Sequence, residues 1–417
     1  PELMSRYPRR PQLVVCAVLS FAASGKELPD VCSGVPTALW TSPSHRARGY
    51  HVLCLEAPCS DPLSNDGTCS AGSSTVGDKN AVCWGGLRSD CKMLATLPEP
   101  KELLDIEEAL IAARPLHNKN RYDKLKKIKE RKNRWKGNFA FFKVKDVVHP
   151  PEPVKSATDM SGFILAFEGG SFVWPGIEVG FRRNITLTHQ GTEDLALELL
   201  TKSLLPLIIE VSSFVDGSVC THIINKALPH VAKSAVSHMD HDVGKPDTNW
   251  RSSSTYFMPS DDEVLRVLDK RVSALTVTRR VQQEYAQVLR YERGERYAAH
   301  HDYFDINMYR QSADIMQLTK KGFFNRLVTV FFYLTDVEEG GHTNFPRAGG
   351  GPQPHDFEDC SRGVAIAPQE GRIVIFYSLD PAGHMDEYSL HGGCSVEKGT
   401  KWSANKWIWN QPMSFMT

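Results

Sequence analysis

Residues 291–302 read YERGERYAAHHD, and His300, His301 and Asp302 close the stretch. On an extended strand the side chains at i and i+2 share a face. His300 and Asp302 therefore project together, and His301 projects to the other side. An imidazole and a carboxylate on one face, joined by a distant second histidine, make a two-histidine, one-carboxylate set. That set suits non-haem Fe(II) and leaves coordination positions open for other ligands. Ordinary surface loops also carry such triplets, so the stretch needs an answering segment.

The answer lies in residues 386–407, DEYSLHGGCSVEKGTKWSANKW. His391 is the candidate third ligand. Lys398-Gly399-Thr400 is a turn signal, and a hairpin there brings Lys401 back toward the metal. Three protein ligands leave room for an oxoacid bound through two oxygens. The far carboxylate of that acid then needs a fixed cation, and a lysine supplies one by a charge-assisted hydrogen bond.

Further pieces fall in a fixed order around these two. They are FVDGSVC (214–220), RSSST (251–255), VLRYERGERYAAHHDYF (288–304), NRLVTVFFYLTDVEEGGHTNFP (325–346), GRIVIFYSLD (371–380) and SLHGGCSVEKGTKWSANKWI (389–408). Together the block from Val211 to Trp409 resembles the catalytic domain of the prolyl 4-hydroxylases, which are Fe(II)- and 2-oxoglutarate-dependent dioxygenases. The resemblance covers roughly half the chain. It implies that His300, Asp302 and His391 hold the catalytic iron and that Lys401 holds the distal carboxylate of 2-oxoglutarate. It places Tyr291 and Thr343 beside the oxoacid, and Tyr297 and Trp407 as aromatic surfaces near the active site. It also implies L-ascorbate as a cofactor, succinate and CO2 as products, and C4 of a peptidyl proline as the target. A proline-rich or collagen-like protein is the expected substrate, since such chains are preformed in polyproline II. The N-terminal half does not resemble the separate peptide-binding region of animal collagen hydroxylases. Two rival readings are hydroxylation of lysine or another side chain by the same core, and a non-catalytic secreted binding module on the same scaffold.

The rest of the composition bounds partners and compartment. The 417 residues carry 49 Lys plus Arg and 49 Asp plus Glu, a formal net charge of zero, which gives no support for a polyanionic partner such as nucleic acid. No uncharged apolar run reaches the length of a membrane span. Arg6, Arg9 and Arg10 precede an apolar run from Leu13 to Ala23, followed by Ser24 and Gly25. This is the shape of a secretory signal over residues 1–25. The chain begins with Pro1, so an upstream membrane anchor stays open. Six of the ten cysteines (Cys32, Cys54, Cys59, Cys69, Cys83 and Cys91) fall within residues 26–94. An even set in a Gly-, Ser- and Asp-rich stretch predicts a disulfide-stapled region. A zinc site is the rival, though no CxxC pair is present. Asn184-Ile185-Thr186 is a glycosylation acceptor triplet. These features predict the secretory pathway, in the endoplasmic reticulum lumen or the Golgi.

In chain order, residues 95–200 read as a mixed extension and residues 201–417 as the catalytic domain. Residues 98–113 carry a helical apolar stripe, and ten Lys or Arg residues crowd residues 119–136. Strands are predicted at Tyr50–Leu55, 139–148, 161–167, 171–181, 206–214, 286–291, 326–334, 363–368, 372–378 and 401–409. The 161–167 and 171–181 segments read as a hairpin, and so do 363–368 and 372–378. Helices are predicted at 195–205, 217–236 with Asp216 as cap, and from Asp261-Asp262 to about 275. Residues 61–80, 239–251 and 310–322 read as loops. The expected fold class is mainly β with flanking helices: a double-stranded β-helix, or jelly roll, behind a cysteine-rich N-terminal region.

Overall fold

A computed structural model describes residues 32, 34–41, 49–55, 80–84, 87, 91–93, 103, 106, 107, 110, 139–188 and 193–413. The expected signal segment, the basic segment at 119–136, most of the loop at 61–80, and Cys59 and Cys69 lie outside the described residues.

The first six strands build one sheet. They are β1 (Tyr50–Leu55), β2 (Asn80–Trp84), β3 (Cys91–Met93), β4 (Ala140–Val144), β5 (Glu152–Pro153) and β6 (Gly162–Phe167), ordered β3-β2-β1-β6-β4-β5. β1 is central and buried throughout. Leu53 and Leu55 pack with the helical residues Ile106 and Leu110 on one face. Tyr50, Val52 and Cys54 join the main core on the other. The Cys32–Cys54 disulfide staples the segment before β1 to that inner face.

The remaining strands are β7 (Arg182–Leu187), β8 (Leu195–Leu204), β9 (Leu207–Val211), β10 (Ala232–Lys233), β11 (Ser254–Met258), β12 (Ala286–Tyr291), β13 (Tyr297–His300), β14 (Arg326–Tyr333), β15 (Glu339–Gly340), β16 (Thr343–Phe345), β17 (Val364–Ile366), β18 (Ile373–Tyr377), β19 (His391–Gly393), β20 (Val396–Lys398) and β21 (Lys401–Trp409). Nine of them form a sheet in the order β10-β11-β12-β21-β14-β18-β9-β8-β7, and four form a smaller one, β13-β19-β16-β17. Both sheets have two edges in this order.

Period-two alternation sorts the side chains of the large sheet. Val328, Val330 and Phe332 of β14, with Ile373 and Ile375 of β18, pack with helices α1 (Gly217–Ala227) and α2 (Glu263–Thr276) in the main core. The intervening Phe331, Tyr333, Val374 and Phe376 pack with Phe345 and Ile366 of the small sheet. Asp216 caps α1 by accepting from the Ser218 and Val219 amides, and Asp262 caps α2 by accepting from Leu265. Leu265, Leu268, Val272 and Leu275 make the buried stripe of α2.

Several expectations give way to the structure. Residues 195–204 are strand β8, not a helix. Leu197, Leu199, Thr201 and Ser203 are buried while Ala196 and Glu198 are exposed, and pairing with β7 and β9 overrides the helix propensity of leucine. The α1 helix ends at Ala227, well short of 236, because Pro229 follows. Residues 171–181 form no strand; β6 pairs with β1 and β4 instead. That segment inserts Phe172 and Trp174 into the core, where Trp174 Nε1 donates to the Leu275 carbonyl at 2.9 Å. β17 and β18 do not pair with each other but lie in different sheets. The turn at Lys398-Gly399-Thr400 forms, yet β20 pairs with β15 while β21 enters the large sheet. A short helix, α3 (Ala313–Leu318), occupies the loop expected at 310–322.

The N-terminal sheet grips the turn that leads to His391. The Gly169 amide donates to the Pro381 carbonyl at 2.8 Å. A Cβ built on Gly169 would lie 2.4 Å from the Gly383 amide nitrogen, and one on Gly49 would lie 2.6 Å from the Ala382 backbone. Gly169→Ala must therefore push backbone apart. It is expected to cost about 1–3 kcal/mol, read as a lower midpoint in urea; an unchanged midpoint would show that the clasp contributes nothing.

Candidate active site

Backbone pairing creates the site. His300 ends β13, His391 begins β19, and the two are register partners in the small sheet. Their rings sit 4.6 Å apart between centroids. Each Nδ1 lies 2.9 Å from a carbonyl two residues earlier, that of Ala298 for His300 and of Ser389 for His391. A carbonyl only accepts, so each Nδ1 carries the proton and each Nε2 lone pair is free to bind a metal. Asp302 follows the end of β13 and brings Oδ1 to 3.7 Å from His300 Nε2 and Oδ2 to 3.5 Å from His391 Nε2. One donor atom from each residue falls within a 4.8 Å group.

Electrostatics suit a divalent cation. Burial works against ionisation of Asp302, but His391, His300, Arg326 and a hydrogen bond from Thr329 outweigh it and hold the carboxyl below its usual range. Thr329 Oγ1 donates to Asp302 Oδ2 at 2.6 Å. Burial and the neighbouring His391 push the His300 imidazole well below its ordinary value, so it is neutral. Two imidazoles that each turn a free Nε2 to one point, and a carboxylate between them, fit Fe(II), with the other side open. His301 faces away, and its Nε2 donates to the Glu387 carbonyl at 3.0 Å.

Lys401 begins β21 opposite Tyr291 of β12 and is only 2% exposed. Its ammonium lies 5.4 to 5.6 Å from the ring centroids of Tyr291, Phe331 and Tyr333. No carboxylate among the described residues pairs with it, and burial alone drives its pKa down to about 7. Thr343, on β16 of the small sheet, bridges to the same cluster of rings: its Oγ1 accepts from Tyr333 Oη at 2.7 Å. Gly341 is left-handed, at φ +66°, and a Cβ there would press on the Lys401 stem at 3.4 Å.

On the open side lies a cavity of about 340 Å³, lined by Tyr297, Trp407, Trp250, Arg251, Arg326 and the metal-site residues. Tyr297 stacks on His300 at 3.8 Å, with the Arg251 guanidinium 4.6 Å over the tyrosine ring. Arg326 lies 3.6 Å over Trp407. Glu284 holds Arg326 there by two hydrogen bonds, of 2.6 and 3.0 Å.

Residues 286–409 match the model of the 2OG-Fe(II) oxygenase superfamily. Probable prolyl 4-hydroxylase 10 of Arabidopsis thaliana is 36% identical over 232 residues, which span 54% of this chain and 76% of the relative. The chain belongs to the prolyl 4-hydroxylase family. Probable prolyl 4-hydroxylase 8 of the same plant is 37% identical over 227 residues, 53% of this chain and 73% of the relative. Among solved structures, the viral collagen prolyl hydroxylase of Paramecium Bursaria Chlorella virus-1, in its 2OG complex, is 25% identical. The match covers 48% of this chain and 95% of that one at a TM-score of 0.34. As a family member the chain is an Fe(II)- and 2-oxoglutarate-dependent oxygenase.

Sequence reasoning passed over Thr329, Arg251 and Arg326 as site residues. Thr329 stands in an otherwise apolar strand, on the parity that faces the site, and that parity was the available signal. Arg251 Nη2 is buried without a partner among the described residues, a property only the fold creates. His300→Ala is expected to abolish stoichiometric Fe(II) binding in anaerobic titration, whereas His301→Ala retains it. Equal loss of iron in both would remove His301 from its position outside the ligand set.

Proposed function

We propose that this chain hydroxylates C4 of peptidyl proline, with His300, Asp302 and His391 as the iron ligands. The observation that carries the reading is the cross-strand His300–His391 pair closed by Asp302, with the buried Lys401, unpaired among the described residues, on the nine-stranded sheet. Bound Fe(II), 2-oxoglutarate and O2 together supply the oxidation, in which the oxoacid becomes succinate and CO2 and proline C4–H becomes C4–OH. The protein binds, orients and excludes water. Lys401 fixes the distal carboxylate of the oxoacid, and Tyr291 and Thr343 line its pocket. The walls around Lys401 exchange solvent for aromatic rings, so a dianion entering there meets an almost unscreened cation. Tyr297 and Trp407 flank the open side and offer stacking surfaces to an extended proline-rich chain. L-Ascorbate serves as reductant when turnover uncouples.

We infer that the nine-stranded and four-stranded sheets are the two walls of a double-stranded β-helix left open at its edges. The Cys32–Cys54 and Cys360–Cys394 disulfides support an oxidising compartment, the endoplasmic reticulum lumen or the Golgi. Asn184 is exposed on the edge strand β7, where a glycan has room. No helix among the described residues is long and apolar enough to cross a membrane.

With Fe(II), 2-oxoglutarate, ascorbate and a panel of proline-rich peptides, succinate is expected to form in step with a product heavier by one oxygen at proline. His391→Ala is expected to end both. Succinate without peptide oxidation would remove proline as the substrate.

Charge on Lys401 sets a pH dependence for co-substrate binding. Its pKa in the free protein is about 7, and a bound dianion raises it. Below pH 7 the lysine is already protonated and binding takes up no proton. Above it, binding must draw one in, so affinity falls by up to about tenfold per pH unit. Calorimetry with Mn(II) in place of iron is expected to show this slope. Lys401→Met is expected to weaken binding by about a hundredfold or more and to abolish the slope. An affinity independent of pH from 6 to 9 in the parent protein would contradict the role.

A further inference from the structure

A second cavity, of about 450 Å³, lies where the N-terminal sheet meets the turn at residues 379–388, and no iron-site residue lines it. Its size is that of a small-molecule pocket. Tyr50, Phe167, Trp174 and Tyr377 line it, and none of them is more than 3% exposed. Their polar atoms are engaged elsewhere. Tyr50 Oη donates to the Leu39 carbonyl at 2.7 Å, Tyr377 Oη accepts from the Trp174 amide at 3.2 Å, and Trp174 Nε1 donates to Leu275. What these residues offer the cavity is apolar and π surface. Asp380, Asp386 and Glu387 also stand in the wall, while no lysine or arginine lines it. Two of the three carboxylates are already matched. Glu387 pairs with Arg347 Nη1 at 3.0 Å. Asp380 Oδ1 accepts from the Ala382 and His384 amides at 3.0 and 2.9 Å, and its Oδ2 stands 3.4 Å from His384 Nδ1. Asp386 differs: Oδ1 accepts from the Tyr388 amide at 3.0 Å, and Oδ2 has no partner among the described residues. Burial above all, with Asp380 and Glu387, pushes its carboxyl up to about 6 against the Tyr388 amide and Arg347. At neutral pH it is thus a carboxylate without a matching cation.

We propose that this cavity binds a small organic ammonium ion, with its charge on Asp386 and its apolar body against the aromatic rings. Ring faces attract a cation through their quadrupole, and more strongly where water is excluded. A carboxylate at one side of such a box adds a charge-assisted hydrogen bond. The two terms together select against anions, and against neutral compounds of the same shape. A metal ion fits less well, since no group of three histidine, cysteine or carboxylate donors among the described residues converges here. Asp386 is free to take this part because its capping bond to the Tyr388 amide uses Oδ1 alone. The site is independent of the iron site and of the hydroxylase reading.

The test uses the full chain in the presence of Mn(II) and 2-oxoglutarate, so that the catalytic cavity is not the only one on offer to a cation. Calorimetric titration with phenethylammonium at neutral pH is expected to saturate at one equivalent. 2-Phenylethanol and phenylacetate, which share the ring but not the charge, are expected to show no saturable binding. Hydrogen exchange is expected to slow across residues 379–388 when the ammonium ion is bound. Asp386→Asn keeps a side chain able to cap residues 387–389 and is expected to weaken binding about tenfold or more. Asp386→Glu restores the charge and is expected to recover part of that loss, which a merely structural role would not predict. Met385→Lys, at a lining position 43% exposed, is expected to abolish binding by supplying a tethered cation. Equal affinity for 2-phenylethanol, an affinity that Asp386→Asn leaves unchanged, or no saturable binding of phenethylammonium would overturn the proposal. So would slowed exchange at residues 297–302 in place of 379–388.

Discussion

Backbone hydrogen bonding between β13 and β19 is the constraint on which the site depends. It makes His300 and His391 register partners, although 90 residues of chain lie between them. In an antiparallel pair, opposed side chains share a face, so both imidazoles are delivered to one point without any contact of their own. Asp302 joins them by its i+2 spacing from His300. Carbonyls of Ala298 and Ser389 then fix the ring tautomers from within the same two segments. The donor set is a property of strand pairing first and of side-chain chemistry second.

The nine-stranded sheet supplies the other half of the site and separates two kinds of energetics. Its helix-facing side is apolar apart from a buried Lys406–Asp269 ion pair, and α1 and α2 close it. Its other side places Lys401, Thr329 and Trp407 along β21 and β14, among aromatic rings. Holding a lysine there with no counter-ion among the described residues is destabilising, since a desolvated cation has lost its hydration and gained no partner. Apolar packing on the opposite face offsets that cost.

The N-terminal sheet is not a separate ornament on this scaffold. Gly49 and Gly169 let its backbone approach the turn at residues 380–383, closer than any side chain would allow. That turn runs on to Asp386, which accepts from the Tyr388 amide, and to Glu387, whose carbonyl accepts from His301 and from Arg347. His391 follows directly. Rigidity at the metal site thus draws on contacts made by the N-terminal sheet, through the Gly169–Pro381 backbone hydrogen bond and through the main core that both share.

By itself the sequence determined what is local. The i, i+2 spacing of His300 and Asp302, the apolar run of β14, the Asp216 and Asp262 caps and the turn before Lys401 could all be read from neighbouring residues. The ordered set of motifs supplied His391 and Lys401 as their distant partners. The tertiary structure alone decided which strands pair. Residues 364–366 and 373–377 look like two arms of a hairpin, yet they belong to opposite sheets. Leu-rich residues 195–204 become a strand because β7 and β9 are there to pair with them. Likewise Thr329 finds Asp302, Cys360 finds Cys394, and Lys401 is buried among aromatic rings, only once the sheets are stacked. Local periodicity reports which face of a segment is apolar, but not what it will face. Strand pairing and burial join residues far apart in the chain, and their free energy exists only in the assembled fold.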